Sequence, residues 1–368
     1  MFLKAVFPGK YIQGEGVLAQ LPDAIGPFGK KGLILASPSA QNKILVPYRE
    51  NLKTRGILIE PFSGECCEKE LSRLADVLRR ERVDVLVGMG GGKAIDTAKI
   101  AADRAGLPVM IVPTIASTDA PCSGCAVLYS EQGTFESVFY QKMNPQIVLV
   151  DTRVIAEAPA RFLISGMGDA LATWFEARSC RRTQSPNECG GLSTLAGLHL
   201  AKLCYDTLLS YGHAAKMAAE QHIVTPALNH IIEANILLSG LGFESSGLAA
   251  AHSIHNGLTA LPQTHAFYHG EKVAFGVLAG LHLTDAAPDE IQTVYDFCEA
   301  IGLPTTFSDI GLADANRGMI DKAACKACAS GECIHHEAGD ITPEKVLQAM
   351  LAANAMGEAR RRSGQNQA

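Results

Sequence analysis

The sequence predicts an α/β protein with an N-terminal doubly wound domain and an all-α C-terminal domain. Over roughly the first 150 residues, short apolar runs alternate with amphipathic helical segments. Strands that are apolar throughout are typical of a parallel sheet covered by helices on both faces. After about residue 159 the segments are rich in alanine and leucine and helical in spacing, so the second half is predicted to be helical.

Five apolar runs predict the strands of the first half: 32–37, 57–61, 83–88, 109–113 and 147–150. The intervening segments are predicted to be helices, and 68–81 has apolar residues at helical spacing. Segment 126–143 interrupts this alternation. Aromatic and β-branched residues there flank a polar turn that contains Gly133, and this pattern predicts a β-hairpin.

Bulk properties set the domain count and exclude several classes of partner. The chain has 368 residues and is 47% hydrophobic, which is enough for two domains, since single cores stop growing near ~250–300 residues. We place these domains at 1–160 and 161–368. A net charge of -6 argues against nucleic-acid binding. No apolar run reaches the ~18 residues of a membrane helix, and the first residues lack the pattern of a signal peptide, so we expect a cytoplasmic protein.

The 11 cysteines are expected to be reduced thiols, because an odd number spread along a long chain does not form a disulfide framework. Cys325 and Cys328, followed by Cys333 and two histidines, have the spacing of a small zinc site. However, segment 320–331 has the pattern of an amphipathic helix. We therefore favour a helix in which the two cysteines share one face as small core residues.

A glycine cluster follows the third strand directly. Gly90, Gly91 and Gly92 have no Cβ, so their backbone amides can approach a diphosphate closely. The helix that follows directs its positive dipole end at the same place, and Lys93 adds a charge. The spacing matches neither the G-x-G-x-x-G motif nor a P-loop. We predict a pyrophosphate site here, with an ordinary tight turn as the alternative.

Segment 113–123 follows the next strand and offers hydroxyl groups and the carboxylate of Asp119. It lies at the carboxyl end of the predicted sheet, where ligands bind in such folds. On composition alone, a ligand-binding loop and an ordinary loop rich in Ser, Thr and Pro are equally compatible with it.

Four histidines lie within 18 positions, from His252 to His269, in an apolar helical region. Such a cluster, together with Asp169 early in an earlier helix, predicts a divalent metal site with an open position for substrate. The alternative for Asp169 is a helix cap. The His-Glu-x-x-His motif of metallopeptidases does not occur.

Five segments together resemble a known family: 90–99 (GGGKAIDTAK), 113–123 (PTIASTDAPCS), 168–177 (GDALATWFEA), 247–257 (GLAAAHSIHNG) and 268–276 (YHGEKVAFG). They are similar to the glycerol dehydrogenases of the iron-containing alcohol dehydrogenase superfamily, and the resemblance covers nearly the whole chain. It implies a dehydroquinate synthase-like fold, with an NAD-binding first domain and a helical metal- and substrate-binding second domain.

The resemblance also implies roles for particular residues. Asp169, His252 and His269 match metal ligands, and the metal is usually zinc in this branch. Iron-dependent relatives have a fourth ligand four residues after the aspartate, where this chain has Thr173. Asp119 matches the residue that contacts the glycerol hydroxyls.

His255 is similar to a histidine behind the ligands that serves in proton relay. The residues that match positions lining NAD are Gly90, Gly91, Gly92, Lys93, Asp96, Thr114, Ser117, Ser123, Cys125 and Tyr129.

The implied reaction is NAD-dependent oxidation of glycerol and related vicinal diols to dihydroxyacetone, with hydride leaving a zinc-bound alkoxide. One departure concerns the cofactor: relatives usually place an acid for the ribose hydroxyls after the first of the five predicted strands, whereas this chain has Ser37. The absence of the acid weakens the preference for NAD over NADP. Since no arginine replaces the acid, NAD remains the expected cofactor.

Other members of the superfamily are the main alternatives. An NADP-dependent 2-oxo acid reductase stays open. A glycerol-1-phosphate dehydrogenase or a dehydroquinate synthase-like enzyme would need basic residues for a phosphate, and none cluster near Asp119 or His252. A non-catalytic nucleotide-binding protein is disfavoured by the Asp and His set. Relatives often form octamers, so a homo-oligomer is expected by analogy.

Overall fold

The computed structural model describes residues 2–365, in which a parallel sheet precedes a set of packed helices. The strands are β1 (Tyr11–Gly14), β2 (Gly32–Ala36), β3 (Leu58–Pro61), β4 (Val85–Gly90), β5 (Val109–Pro113), β6 (Cys125–Tyr129), β7 (Phe135–Tyr140) and β8 (Ile147–Asp151). The helices are α1 (Leu21–Ile25), α2 (Arg49–Thr54), α3 (Glu68–Glu81), α4 (Gly92–Ala105), α5 (Thr152–Ala156), α6 (Ala160–Thr183), α7 (Leu195–Glu220), α8 (Pro226–Glu233), α9 (Ser239–Ser246), α10 (Ala250–Leu258), α11 (His269–Leu283), α12 (Pro288–Ile301), α13 (Arg317–Ala327) and α14 (Pro343–Gln365).

Six strands form the parallel sheet, in the order β1-β8-β5-β4-β2-β3. The five predicted strands correspond to β2, β3, β4, β5 and β8, so the predicted doubly wound sheet is confirmed. The chain moves outward from β2 to β3 and then returns to place β4 on the other side of β2. In open α/β sheets, ligands bind at such a switch point, outside the carboxyl ends of the strands.

Strand β1 is absent from the sequence-based prediction. It is short, its residues are all half-buried, and it pairs with β8 at the edge of the sheet. Its Gln13 and Gly14 interrupt the apolar pattern that identifies the central strands. A half-exposed edge strand can lack the continuous apolar signature of a buried parallel strand, although β3 at the other edge keeps it.

Alternate residues of the central strands pack on opposite faces of the sheet. On β2, Leu33 and Leu35 belong to one core, and Ile34 and Ala36 belong to the other. The first core continues without interruption into the helices of the second half. One apolar core therefore joins the sheet to the helical half.

The predicted hairpin is confirmed as β6 and β7, which pair antiparallel. The pairing register is irregular between Leu128 and Tyr129. Because β6 leaves the loop that follows β5, the hairpin extends from the carboxyl end of the sheet.

The helical half is built around α6, α7, α10 and α11. Between α8 and α9 the turn Ala234–Leu238 is a π-helix, so the segment 226–246 is one continuous helical segment with a wider turn inside it. Such turns shift the register of side chains and often occur at functional sites. Within residues 2–365, none of the helices is long and apolar enough to cross a membrane.

The helix predicted over 320–331 is observed as α13, but its bounds and its exposed face differ from the prediction. α13 starts three residues earlier, where the Asn316 side chain accepts a hydrogen bond from the Met319 amide, and it ends before Cys328. Cys325 is exposed and Cys328 is half-buried. The interpretation of Cys325 as a core residue is therefore wrong, because the buried face of α13 is formed by Ile320 and neighbouring alanines.

The first residues of the chain contact the helical half. The Lys4 amide donates to the Leu192 carbonyl at 3.1 Å, and Asn187 Nδ2 donates to the Lys4 carbonyl at 2.8 Å. The Val6 amide donates to Ser245 Oγ at 3.3 Å. The division of the chain at 160 and 161 stays a prediction.

Candidate metal and cofactor site

The turn between β4 and α4 is closely packed on one side. A Cβ on Gly90 would lie 2.9 Å from the Cβ atoms of Ser37 and Ala94, and a Cβ on Gly91 would lie 3.0 Å from Ile115 Cδ1. A Cβ on Gly92 would meet nothing within 4 Å. The backbone at the start of α4 is therefore open, as the predicted pyrophosphate site requires.

Lys93 lies beside this turn and contacts the hairpin. Its Nζ is 2.5 Å from Glu65 Oε2 and 5.1 Å from the centre of the Tyr129 ring. Tyr129 ends β6, and Cys125 starts it. The hairpin thus brings two of the predicted cofactor residues to the side of α4.

Asp96 connects α4 to the same hairpin. Its Oδ2 accepts a hydrogen bond from the Val127 amide at 3.1 Å, while Oδ1 is buried without a hydrogen-bond partner among the described residues. Burial raises the pKa of Asp96 to about 6, although the nearby Lys99 ammonium acts in the opposite direction.

The remaining predicted cofactor residues lie in the loop after β5. The Thr114 amide donates to the Gly90 carbonyl at 3.0 Å, which joins this loop to the glycine turn. The Ser117 carbonyl accepts from Ser165 Oγ at 3.5 Å, and Ser123 Oγ donates to the Ala120 carbonyl at 3.2 Å.

Three side chains from three helices converge in the helical half. Asp169 comes from α6, His252 from α10 and His269 from the first residue of α11. Their ligand atoms all lie within 4.8 Å of one another. Asp169 Oδ1 is 2.9 Å from His269 Nε2 and 3.4 Å from His252 Nε2.

The position of Asp169 differs from the expectation that it lies near a helix start. It is the tenth residue of α6, where a capping role is impossible. Its Oδ1 is buried and makes no hydrogen bond of acceptable geometry with any described residue. A buried carboxylate oxygen without a partner, facing two imidazole nitrogens, fits a site that a divalent cation completes.

Each histidine of this group has a partner on its other ring nitrogen. Glu176 Oε2 is 2.6 Å from His252 Nδ1, and His255 Nε2 is 3.1 Å from His269 Nδ1. His255 Nδ1 in turn lies 3.1 Å from Asn256 Oδ1. Metal-binding histidines usually have such a partner, which fixes the ring and its tautomer.

The electrostatics of the group follow from burial and close charges. Burial would raise the pKa of Asp169, but the neighbouring imidazoles of His269 and His252 hold it below its usual value. Burial works against a charged His252, yet Glu176 and Asp169 raise its pKa well above the ordinary value. Burial, followed by the proximity of His269, lowers the pKa of His255 well below that of a free imidazole.

Asp119 lies next to the three converging side chains. Its backbone amide donates to Asp169 Oδ2 at 3.3 Å, and its Oδ2 accepts from Ser239 Oγ at 2.9 Å. Ser239 is also 2.8 Å from Thr173 Oγ1. Thr173, at the position of the fourth ligand in iron-dependent relatives, therefore contacts the residue that holds Asp119.

Three polar residues of the site were not identified from the sequence. Glu176 contacts His252, Ser239 contacts Asp119, and Lys99 Nζ donates to the carbonyls of Ala120 and Cys125. For Glu176, a usable signal was its spacing of seven residues from Asp169, which places both carboxylates on one face of α6. Ser239 and Lys99 gave no comparable signal, because their partners are far away in sequence.

Comparison with known proteins agrees with this architecture. Residues 8–152 match the family model described as iron-containing alcohol dehydrogenase. The chain is 48% identical over 363 residues to glycerol dehydrogenase of Thermotoga maritima, covering 98% of this chain and 99% of the relative. It is 44% identical to glycolaldehyde reductase of Halobacterium salinarum, covering 95% of this chain and 96% of that protein.

A solved structure has the same fold over nearly the full length. The crystal structure of a probable glycerol dehydrogenase from Sinorhizobium meliloti has a TM-score of 0.90 and 43% identity, covering 97% of this chain and 99% of that one. The fold and these similarities define a dehydrogenase with a parallel α/β sheet and a helical half that carries the candidate metal site. The chain belongs to the iron-containing alcohol dehydrogenase family, which implies a nicotinamide cofactor and a metal ion.

Proposed function

We propose that this protein oxidises glycerol and related vicinal diols, glycerol to dihydroxyacetone, with NAD as the hydride acceptor. The observation that carries the proposal is the convergence of Asp169, His252 and His269 beside Asp119. Relatives with the name glycerol dehydrogenase, at identities up to 48% over nearly full length, support the choice of substrate.

We propose that Asp169, His252 and His269 hold a zinc ion. One carboxylate and two imidazoles form a typical catalytic zinc set, which leaves a position for substrate. Thr173 is hydrogen-bonded to Ser239 and offers no fourth ligand of the kind found in iron-dependent relatives. When bound, the ion supplies Lewis acidity, which favours ionisation of the substrate hydroxyl.

Asp119 is proposed to select vicinal diols. One of its carboxylate oxygens is held by Ser239, and its second oxygen accepts a hydrogen bond from a substrate hydroxyl next to the reacting carbon. Plain alcohols lack that hydroxyl and leave the second carboxylate oxygen of Asp119 without a hydrogen-bond partner. A site built to bind a hydroxyl group rejects analogues without it, because its own polar group is then left unpaired.

His255 is proposed to relay the proton that the substrate loses. It lies between His269 and Asn256, and Asn256 Nδ2 donates to Glu332 Oε2 at 2.9 Å. Asn256, held by the half-buried carboxylate of Glu332, therefore fixes the orientation of the His255 ring. Burial lowers the pKa of His255, which favours the neutral imidazole over the charged form.

NAD is proposed to lie across the switch point between β2 and β4, with its diphosphate at the glycine turn. The predicted cofactor residues of the turn, the loop after β5 and the hairpin surround this place. We further propose a cytoplasmic homo-oligomer, by analogy with octameric relatives, and light scattering of the purified protein tests the oligomer.

NADH formation with glycerol, measured before and after treatment with a chelator, tests the proposed function. We expect activity to be lost on chelation and restored by zinc, and full activity of the metal-free protein would refute the ligand set. Parallel assays with propane-1,2-diol, glycolaldehyde and 2-oxobutyrate, each with NAD(H) and NADP(H), separate this function from a 2-oxo acid reductase. Preference for 2-oxobutyrate would refute the substrate assignment.

A further inference from the structure

Glu176 is 1% exposed and accepts three hydrogen bonds, all from one neighbouring segment. Its Oε1 accepts from the backbone amides of Ala249 at 2.9 Å and His252 at 3.0 Å. Its Oε2 contacts His252 Nδ1 at 2.6 Å. One carboxylate on α6 therefore binds both the start of α10 and the ring of a candidate ligand on that helix.

The carboxylate determines which ring nitrogen of His252 carries a proton. An ionised carboxylate only accepts hydrogen bonds, so the 2.6 Å contact requires a proton on Nδ1. A neutral imidazole then has its free electron pair on Nε2, the atom that faces Asp169. That nitrogen is the one a cation beside Asp169 would need.

We propose that Glu176 is a positioning residue that keeps the proton of His252 on Nδ1 and its electron pair on Nε2, and thereby sets the affinity of the site for a divalent cation. This inference rests on the proposed metal site. It assigns a role to a residue that contacts neither substrate nor cation in the proposed reaction.

A glutamine at this position cannot replace the carboxylate, although it has nearly the same volume. If its oxygen accepts from the amides of Ala249 and His252, its NH2 group faces Nδ1 and forces the proton onto Nε2. If the side-chain amide is reversed, its NH2 group meets two backbone N–H donors. The first arrangement loses the tautomer with a free electron pair on Nε2, and the second loses two hydrogen bonds at the start of α10.

Glu337 provides a matched control at the same helix start. Its Oε1 accepts from the Ala250 amide at 3.2 Å, and its Oε2 accepts from Ser179 Oγ at 2.6 Å. A glutamine satisfies both partners there, since its oxygen accepts from the amide and its NH2 group donates to the hydroxyl. Glu337→Gln thus removes a buried carboxylate that contacts the start of the same helix, without touching His252.

Competition between the protein and a chromophoric chelator for zinc tests the proposal. We expect Glu176→Gln to weaken zinc binding about 10- to 100-fold, the usual effect of losing a carboxylate behind a ligand histidine. Glu337→Gln is expected to stay within about twofold of wild type. Equal affinities for the two variants, both with cooperative thermal unfolding in the metal-free state, would overturn the proposal.

Asp169→Asn separates this inference from the proposed metal site. If this variant binds zinc as the wild type does, the metal site falls and the inference with it. If it loses zinc while Glu176→Gln retains it, only the positioning role is refuted.

A measurement on the wild type avoids any loss of folding in the variants. In zinc-loaded protein labelled with ¹⁵N-histidine, His252 should show a hydrogen-bonded proton on Nδ1. Absence of that proton would overturn the proposal.

Discussion

Asp119 holds a carboxylate in surroundings that oppose its charge. Burial, followed by the negative charge of Asp169, raises the pKa of Asp119 well above its ordinary value. The Ser239 hydroxyl partly offsets this by donating to Oδ2. The arrangement leaves Oδ1 as the atom that can meet a substrate hydroxyl.

We expect Asp119→Ala to lower kcat/KM for glycerol about 10- to 100-fold, because the substrate hydroxyl and Ser239 then both lose their hydrogen-bond partner, and a buried polar group without a partner costs ~1–3 kcal/mol. Affinity for NAD, measured by quenching of protein fluorescence, should change little. Propan-2-ol, which has a single hydroxyl, serves as the control substrate. Equal losses for glycerol and propan-2-ol would contradict the assigned role.

Ser37 stands at the end of β2, against the glycine turn, where family members usually have an acid. Its Oγ is 3.3 Å from Ser39 Oγ, and it carries no charge to repel a 2′-phosphate. We expect Ser37→Asp to increase the ratio of kcat/KM for NAD to that for NADP by about tenfold or more. The new carboxylate would face the 2′-phosphate of NADP, and two like charges in contact cost several kcal/mol. An unchanged ratio would place the ribose elsewhere.

Single residues differed in how far the sequence could identify them. The grouping of Asp169, His252 and His269 was predictable because histidines clustered in an apolar helical region are unusual and because their segments resemble a family. Glu176 was missed because a lone acid in a helix has many ordinary roles. Only tertiary packing shows that it meets the start of α10.

At the scale of elements, the helical segment 226–246 approaches the loop after β5 at close range. Asn235 Nδ2 donates to the Ala116 carbonyl at 3.0 Å, and Ser239 holds Asp119. A Cβ on Gly240 would lie 2.9 Å from the Asp119 carbonyl oxygen. Glycine at this position therefore allows the helix to lie against the loop after β5.

Gly240→Ala is expected to raise KM for glycerol about tenfold with a smaller change in kcat, since a misplacement of under 1 Å already affects a bound substrate strongly. Steady-state kinetics provide the measurement. Gly280→Ala is the control, because its Cβ would find its nearest neighbour, Ala250 Cβ, at 3.5 Å. Similar KM values for both variants would show that the close contact between Gly240 and Asp119 does not determine the affinity for glycerol.

Apolar runs identified five strands of the sheet, including the edge strand β3, which is only partly buried. β2, β4, β5 and β8 are buried along their whole length, and their apolar runs identified them. The half-buried β1 gave no such pattern. The π turn between α8 and α9 was not predictable either, because its sequence, ANILL, has the composition of an ordinary α-helix.

For the whole molecule, Asp96 makes stability depend on pH. Burial raises its pKa from 3.8 to about 6, so the folded state binds this proton more tightly than the unfolded state. Its favourable contribution is complete below about pH 4 and is lost as the pH rises through 6. Above that range a charged, partly unpaired carboxylate remains buried.

We expect Asp96→Asn to have a larger free energy of unfolding than wild type above pH 7, by ~3 kcal/mol at about 1.4 kcal/mol per pKa unit. The difference should shrink towards pH 4. Urea unfolding of the cofactor-free proteins at several pH values measures it. A difference that stays constant with pH would rule out titration of Asp96 as its source.

Residues 2–6 run along the helical half, hydrogen-bonded to Leu192, Asn187 and Ser245. A chimera that took its sheet from a relative, with the junction at residue 160, would also take the relative's N-terminal segment. That segment would then have to pack against the helices of this protein. Hybrid enzymes made to combine cofactor and substrate preferences should therefore keep residues 2–6 with the second half.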